Sequence, residues 1–284
     1  MSKLSCIYKV FQKVVCLILV ALILSVCVIY IPIGYTINMI NCRLSVKITT
    51  FFSYVLWRIF DRIFRLTFEI EGENCLKDNE YYLVVSNHIG ASDFMLLSNL
   101  FDAKNTMKDL KYLIKSELKY FLVFYQIVDL LKFISIDRNF EKDEKNISSR
   151  LNELIKHEIP ANIVIYPEGS RLTDETLKSS IDFCRKKGLP TFTNVLCPRF
   201  GGFVLLCESL RNSHIKNVAD ITFTYINGKA PSLWKVLFTS VRGKIRYDIK
   251  IHTLDKIADP RKWLLDSFER KNMLIGRFKE DFTK

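Results

Sequence analysis

The residues best suited to chemistry are His88 and Asp93, which lie five positions apart at the end of an apolar run. Residues 81–85 predict a buried strand, residues 87–91 a turn, and Ser92 the N-cap of a helix whose first turn holds Asp93. The carboxylate would then hold one ring nitrogen of His88, and the other nitrogen would take a proton from a substrate hydroxyl. The alternative is a loop histidine beside an acidic residue that only complements the helix dipole.

Two further apolar runs end in polar groups. Residues 130–136 are followed by Asp137 and Arg138, and residues 162–166 run into the sequence Pro-Glu-Gly-Ser-Arg at 167–171. Parallel strands of an α/β sheet end at one edge, so these groups are expected to meet His88 there. The arginines could hold a phosphate, and Gly169 would let backbone amides approach it. Taken singly, Asp137 and Arg138 could be a surface ion pair, and residues 167–171 could be a turn before a capped helix.

Composition indicates a globular domain with elements that seek a membrane. The chain has 284 residues, a net charge of +12 and 49% hydrophobic residues, so an anionic partner is expected. Its eight cysteines form no Cys-x-x-Cys pair, which favours free thiols over disulfides or a zinc site. No metal site is predicted from the four histidines. Nucleotide-binding and serine-hydrolase motifs are absent, and so is any nucleic-acid-binding module.

The N-terminal part of the chain predicts two membrane-associated segments. Residues 14–33 carry no charge and are long enough for a transmembrane helix, although a cleaved signal peptide is the alternative. Residues 44–66 are amphipathic, with Lys47, Arg58, Asp61 and Arg65 on one stripe. The apolar face could contact lipid, pack on a protein core, or do both.

The rest of the chain alternates strand-like and helical stretches, which predicts an α/β sheet covered by helices on both faces. Strands are predicted at residues 111–115, 195–197, 221–226 and 245–251, and helices at 116–126 and over a polar stretch that contains Ile147 and Leu151. The predicted layout is a membrane anchor at 1–38, an amphipathic helix at 39–66, a globular domain at 67–255 and a helical tail at 256–284.

These motifs resemble those of the glycerophospholipid acyltransferases. The first motif of that family, Asn-His-x-x-x-x-Asp, is matched by Asn87, His88 and Asp93, and the second by residues 133–138. The third, Pro-Glu-Gly-Thr/Ser-Arg, is matched by residues 167–171, and the fourth by residues 195–198. Residues 198–203, with Trp263, Lys271 and Phe278, are similar to the branch that includes lysocardiolipin acyltransferases. A glycine commonly opens the second motif, where this chain has Lys132 or Phe133.

The resemblance implies a glycerophosphate acyltransferase-like domain with a mixed sheet. It implies transfer of a fatty acyl group from acyl-coenzyme A to the free hydroxyl of a lysophospholipid, most simply 1-acyl-sn-glycerol-3-phosphate, without a covalent acyl-enzyme. A lysocardiolipin or other lysophospholipid acceptor is an alternative, and so is a non-catalytic protein that binds anionic lipid. His88 would be the general base and Asp93 its orienting partner. The residues implied in substrate binding are Asn87, Arg138, Glu168, Gly169, Ser170, Arg171 and Pro198.

The resemblance also implies the setting of the reaction. The expected partners are acyl-coenzyme A as co-substrate, the lysophospholipid and the bilayer, with no cofactor and no nucleic acid. The expected location is the endoplasmic reticulum membrane, with a single-pass anchor.

Overall fold

A seven-stranded mixed sheet organises the globular part of the computed structural model, which describes residues 3–64, 68–137, 139–211, 213–232 and 243–283. The strand order is β1-β7-β6-β2-β5-β3-β4. The five strands from β6 to β4 are parallel, and β7 and β1 run in the opposite direction. The strands are β1 (Phe68–Glu71), β2 (Tyr82–Ser86), β3 (Leu110–Lys115), β4 (Ile134–Ile136), β5 (Asn162–Ile165), β6 (Asn217–Tyr225) and β7 (Gly243–Thr253).

Helices cover both faces of this sheet, as predicted. Along β2, Leu83 and Val85 belong to one apolar cluster, whereas Tyr82 and Val84 belong to another. This alternation follows from the two-residue period of a strand, and cover on both faces explains why β2 and β5 are buried along their whole length and mostly apolar. The described helices are α1 (Lys3–Ile40), α2 (Cys42–Phe64), α3 (Asp93–Asp102), α4 (Leu122–Leu130), α5 (Phe140–Lys156), α6 (Asp174–Lys187), α7 (Phe200–Leu210) and α8 (Pro260–Thr283).

The C-terminal helix α8 packs into the same core as the sheet. Leu264, Phe268 and Ile275 are buried in the apolar cluster that also contains Leu83 and Val85 of β2. Trp263 stacks on Phe203 of α7, with ring centroids 5.2 Å apart. The predicted helical tail is therefore part of the globular core.

The region around residues 116–136 differs from its prediction. The predicted helix 116–126 is a 3₁₀ turn at Ser116–Tyr120 followed by α4, and the predicted strand 130–136 is reduced to β4. Leu130 ends α4, and Lys132 then adopts a left-handed backbone with φ 63°. A short apolar run does not distinguish a helix end from a strand by periodicity, which explains the error.

The predicted strand at 195–197 is wrong as well. The segment 194–197 is irregular, and the backbone amides at its two ends bond to side chains instead of to a neighbouring strand. The amide of Asn194 donates to Oδ1 of Asn272 at 2.7 Å, and that of Cys197 to Oγ of Ser180 at 2.8 Å. These bonds satisfy the buried donors that a strand ladder would otherwise satisfy.

Helices α1 and α2 form an N-terminal hairpin. Residues Leu17–Ile40 of α1 form the one described helix long and apolar enough to cross a membrane, with a mean hydropathy of 2.8. The hydroxyl of Ser45 on α2 donates to the carbonyl of Gly34 on α1 at 2.9 Å, and Tyr30 and Thr49 share a 2.7 Å hydrogen bond.

Helix α2 uses its two faces differently. Its buried side chains include Ser45, Val46, Thr49 and Thr50, whereas Phe51 and Ile59 are exposed. The helix also reaches the globular domain, because Trp57 packs edge-on against Phe94 of α3. One apolar stripe is thus open to surroundings outside the protein, while another part of the helix packs on protein.

Candidate active site

The two residues predicted to do chemistry lie in contact at the carboxyl end of β2. Nδ1 of His88 lies 2.8 Å from Oδ2 of Asp93. The same carboxylate oxygen accepts the backbone amides of Ile89 and Gly90 at 2.7 and 2.9 Å, and Oδ1 accepts the hydroxyl of Tyr225 at 3.1 Å. Four donors therefore fix a carboxylate that is only 1% exposed. A fixed carboxylate at Nδ1 orients the ring and favours the tautomer with Nε2 unprotonated.

The tight turn around this pair depends on local contacts that the sequence did not show. Helix α3 begins at Asp93 and Ser92 is its N-cap residue, as predicted, but the Ser92 side chain makes no capping hydrogen bond. Its hydroxyl instead contacts the hydroxyl of Tyr225 and the carbonyl of Pro231. A Cβ on Gly90 would lie 2.2 Å from Cβ of Ala230, so the turn requires glycine there.

The ring of His88 has one face packed on Tyr166, with centroids 4.3 Å apart and planes at 18°. The side chain is 22% exposed and lines a cavity of about 290 Å³. Because Nδ1 is occupied by Asp93, Nε2 is the ring nitrogen left for a ligand. Most of the cavity wall is apolar, formed by Leu113, Ile136, Phe140, Ile147, Ile165 and Leu205.

Glu168 connects the Pro-Glu-Gly-Ser-Arg segment to the histidine. It is 3% exposed, and its Oε1 accepts the backbone amide of His88 at 3.0 Å. A backbone hydrogen bond joins the same two segments, because the amide of Leu172 donates to the carbonyl of His88 at 3.0 Å. Burial raises the pKa of Glu168 to about 8. The carboxyl group thus buttresses His88, a different immediate role from the substrate contact that was predicted.

Asn87 also has a supporting position. Its Nδ2 donates to the carbonyl of Phe223, and its Oδ1 accepts the amide of the same residue, both at 3.0 Å. This clamp extends the pairing of β2 with β6 beyond the last strand residue. With 1% exposure, Asn87 supports the strand end, and its contact with substrate stays a prediction.

Behind the strand ends lies a buried ion pair between Asp220 of β6 and Lys271 of α8. Lys271 also donates to the carbonyl of Ile221 at 2.6 Å, and Arg270 donates to Asp220 at 2.8 Å. Burial by itself would raise the pKa of Asp220, but the two cations outweigh it and hold that pKa below its usual range. The pair joins the last helix to the sheet edge that carries His88.

Arg199, which was not among the predicted site residues, lines the same cavity as His88. A Cβ on Gly169, which has φ 65°, would lie 3.2 Å from Cδ and Nε of Arg199. The amide of Arg199 donates to the carbonyl of Pro167 at 2.8 Å. The sequence signal was its position directly after Pro198, at the start of a segment with two glycines. Lys115 is the other lysine or arginine among the described residues of this cavity wall.

The remaining predicted residues are placed as follows. Arg138 lies outside the described residues, although Ile136 and Phe140 on either side of it line the cavity. Arg171 is exposed and is not part of that wall. Ser170, Pro198 and Glu168 line a second cavity of about 580 Å³, which shares Arg199 with the first.

Among the described residues, no group of three His, Cys, Asp or Glu side chains could hold a metal ion. The site therefore combines a histidine oriented by a fixed carboxylate, an apolar cavity lined by that histidine, and basic side chains on the cavity wall. It suits proton abstraction from a hydroxyl beside an anionic, partly apolar ligand.

Residues 67–205 match the model of the Acyltransferase family. A probable 1-acyl-sn-glycerol-3-phosphate acyltransferase 5 of Arabidopsis thaliana is 26% identical over 250 residues, 85% of this chain and 66% of the relative. Lysocardiolipin acyltransferase 1 of Gallus gallus is 25% identical over 78% of this chain and 60% of its own length. The 1-acyl-sn-glycerol-3-phosphate acyltransferase delta of Pongo abelii is 30% identical over 70% of this chain and 52% of its own length.

The family model and these relatives support the acyltransferase family for residues 67–205, just under half of the chain. The chain spans about half to two thirds of the length of these relatives.

Proposed function

We propose that this chain is an enzyme that transfers a fatty acyl group from acyl-coenzyme A to the free hydroxyl of a lysophospholipid. The observation that carries the proposal is the His88–Asp93 pair, with Nδ1 held at 2.8 Å and the ring facing the apolar cavity. Relatives named for 1-acyl-sn-glycerol-3-phosphate support that acceptor. The relative named for lysocardiolipin supports the alternative acceptor.

In the proposed reaction, Nε2 of His88 takes the proton of the acceptor hydroxyl as its oxygen attacks the thioester carbonyl carbon. A carbon–oxygen bond forms and the carbon–sulfur bond breaks. Coenzyme A leaves as the thiolate and receives the proton back from His88, so no acyl-enzyme forms. Asp93 stabilises the imidazolium that exists between the two proton transfers.

Substrate phosphates are proposed to bind at the basic side of the cavity. Arg199 and Lys115 supply positive charge there, and Arg138 and Arg171 remain candidates from the family motifs. The first turn of α7 lines the same wall, and the N-terminal end of a helix attracts anions. Ser170 and Pro198, in the second cavity, are proposed to contact the acyl or coenzyme A part of the donor.

We also propose that α1 anchors the chain as a single pass in the endoplasmic reticulum membrane, supported by its apolar segment Leu17–Ile40. Alkaline carbonate should leave the full chain in the membrane pellet, and the tagged protein should colocalise with a marker of that organelle. Release by carbonate would refute the anchor.

The decisive experiment for the enzyme is transfer of radiolabelled acyl groups from acyl-coenzyme A to a panel of lysophospholipids by the purified full chain. We expect product with lysophosphatidic acid or with lysocardiolipin, and none with the His88→Ala variant. Lipid binding without transfer by the native chain would instead identify a non-catalytic anionic-lipid-binding protein.

A further inference from the structure

Four large apolar side chains project from the surface immediately after β3 and its 3₁₀ turn. Tyr120, Phe121, Leu122 and Phe124 are 75%, 66%, 70% and 51% exposed. They form a cluster that we call the aromatic patch. Single exposed apolar residues are common, but four within five positions mark an interaction surface.

The aromatic patch is joined to the candidate membrane helix by α4. The patch occupies the start of α4, and Leu130 at the end of that helix packs on α1, where a Cβ on Gly34 would lie 2.8 Å from its Cδ1. The hydroxyl of Tyr35 also donates to Asp129 at 3.0 Å. At 1.5 Å per residue, Leu122 lies about 12 Å along α4 from this contact. Helix α4 thus links the patch to α1.

The chemistry of the segment fits the headgroup region of a bilayer. Tyrosine is enriched where membranes meet water because its ring is amphipathic, whereas phenylalanine and leucine bury apolar side chains at the acyl boundary and lysine reaches anionic headgroups. Nζ of Lys119 lies 5.5 Å from the ring centroid of Tyr120, and the segment also has Lys115 and one acid, Glu117. The chain as a whole carries +12, which favours an anionic surface.

The patch follows closely in sequence after a residue that lines the cavity containing His88. Lys115, the last residue of β3, lines that cavity, and Tyr120 follows it five positions later at the end of the 3₁₀ turn. At ~2 Å per residue this turn places the patch about 10 Å from Lys115. A bilayer that touches the patch would therefore lie beside the cavity.

From this placement we propose that the aromatic patch inserts into the interface of an anionic bilayer as a second membrane contact, separate from α1, and turns the His88 cavity towards the lipid surface. Helix α1 alone would hold the domain near the membrane without fixing which side faces it. Two contacts restrict that rotation, so a lipid substrate would enter without leaving the interface.

The test uses tryptophan as a reporter in the full chain, which has three native tryptophans as background. Phe121→Trp is compared with Met273→Trp, a control on α8 that is 60% exposed and outside both cavities. Both are reconstituted in vesicles of phosphatidylcholine and phosphatidylglycerol with brominated acyl chains. We expect a blue shift and quenching beyond the parent protein for Phe121→Trp, and neither for Met273→Trp.

The readout is lipid contact, so it is independent of acyl transfer. A reporter at 121 that stays at a water-exposed wavelength and unquenched overturns the proposal. The alternative occupant is a second copy of the chain, which is tested with the double variant Phe121→Ser/Leu122→Ser in detergent. An unchanged mass of the protein in the micelle is expected, and conversion of a dimer to a monomer would assign the patch to self-association instead.

Discussion

Oε1 of Glu168 accepts a hydrogen bond from the backbone amide of His88 at 3.0 Å, across 80 positions of sequence. The bond ties the end of β5 to the end of β2 and sets where the imidazole ring stands. It also places a titratable group in a nearly water-free position. The stability of the site is therefore expected to depend on pH.

The folding stability of the Glu168→Gln variant should depend less on pH than that of the native chain. The pKa of Glu168 is raised to about 8 in the folded chain, against ~4.3 unfolded, so the folded state binds more protons between these values. Stability from this group is full at low pH and is lost as pH rises towards 8. Denaturant midpoints in detergent should fall less from pH 5 to pH 8 in the variant. Glu158→Gln, at an 80% exposed side chain, is the control that should keep the native slope.

Loss of the base should abolish catalysis without unfolding the protein. His88→Ala is expected to lower kcat by ~10²–10⁴-fold, the usual contribution of a positioned base. Asp93→Asn should be nearly as damaging because the amide can present a donor to Nδ1. Initial rates of acyl transfer measure both, with His157→Ala, outside the cavities, as control. Near-native rates in a folded His88→Ala protein would remove this pair from the mechanism.

Arg199 is expected to contribute substrate binding. Arg199→Ala should raise the KM of an anionic substrate by about tenfold or more, since a hydrogen bond to a charged group is worth ~1.5–3 kcal/mol. Arg199→Lys should give a KM between those of the native chain and Arg199→Ala, because lysine keeps the charge and loses the planar guanidinium. Arg185→Ala, which removes a 71% exposed arginine, is the control. Unchanged KM values for both substrates would exclude Arg199 from binding.

Two glycines allow backbone strain to be separated from site geometry. Gly169 and Gly188 have φ of 65° and 63°, but a Cβ would meet Arg199 only at Gly169, because nothing lies within 4 Å at Gly188. Alanine at either position should cost about 1–2 kcal/mol from the left-handed backbone. Only Gly169→Ala should also raise KM, by displacing Arg199. Equal KM values in the two variants would show that the contact is irrelevant to binding.

Replacing one partner of the buried ion pair between Asp220 and Lys271 should lower the stability of the folded protein. Lys271→Met leaves Asp220 with Arg270 and Ser267 only, and such changes cost about 3–5 kcal/mol. The double variant Lys271→Met/Asp220→Asn removes both charges and should recover part of that loss. Chemical unfolding measures both. A double variant no more stable than the single one would show that the pair does not act as a unit.

The parts of this fold that were predictable are those whose signals are local. Strand β2 and the contact between His88 and Asp93 follow from a buried run and a spacing of five residues, and both are present. The α/β fold class followed from the alternation of strand-like and helical stretches along the sequence. Each of these features is determined by residues that lie close together along the chain.

The parts that were not predictable depend on distant partners. Asn87 bonds to Phe223, and Asn194, at the start of the irregular segment 194–197, bonds to Asn272. The cavity position of Arg199 depends on the turn at Gly169. A run of apolar residues contains no information about which of these partners will supply the hydrogen bonds. The sequence pattern therefore predicted the contact between His88 and Asp93, but it did not predict the distant residues that support the site.

The pairing of β1 with β7 has a consequence for how the chain is made. Among the described strands, β1 pairs with β7 alone, and Gly72 and Tyr247 are joined by a hydrogen bond across 175 positions of sequence. At ~5–20 residues per second, the ribosome needs on the order of ten seconds or more between them. During that interval the apolar helix α1 has already emerged, so membrane insertion would precede closure of the sheet. The domain would complete its fold while already tethered to the bilayer.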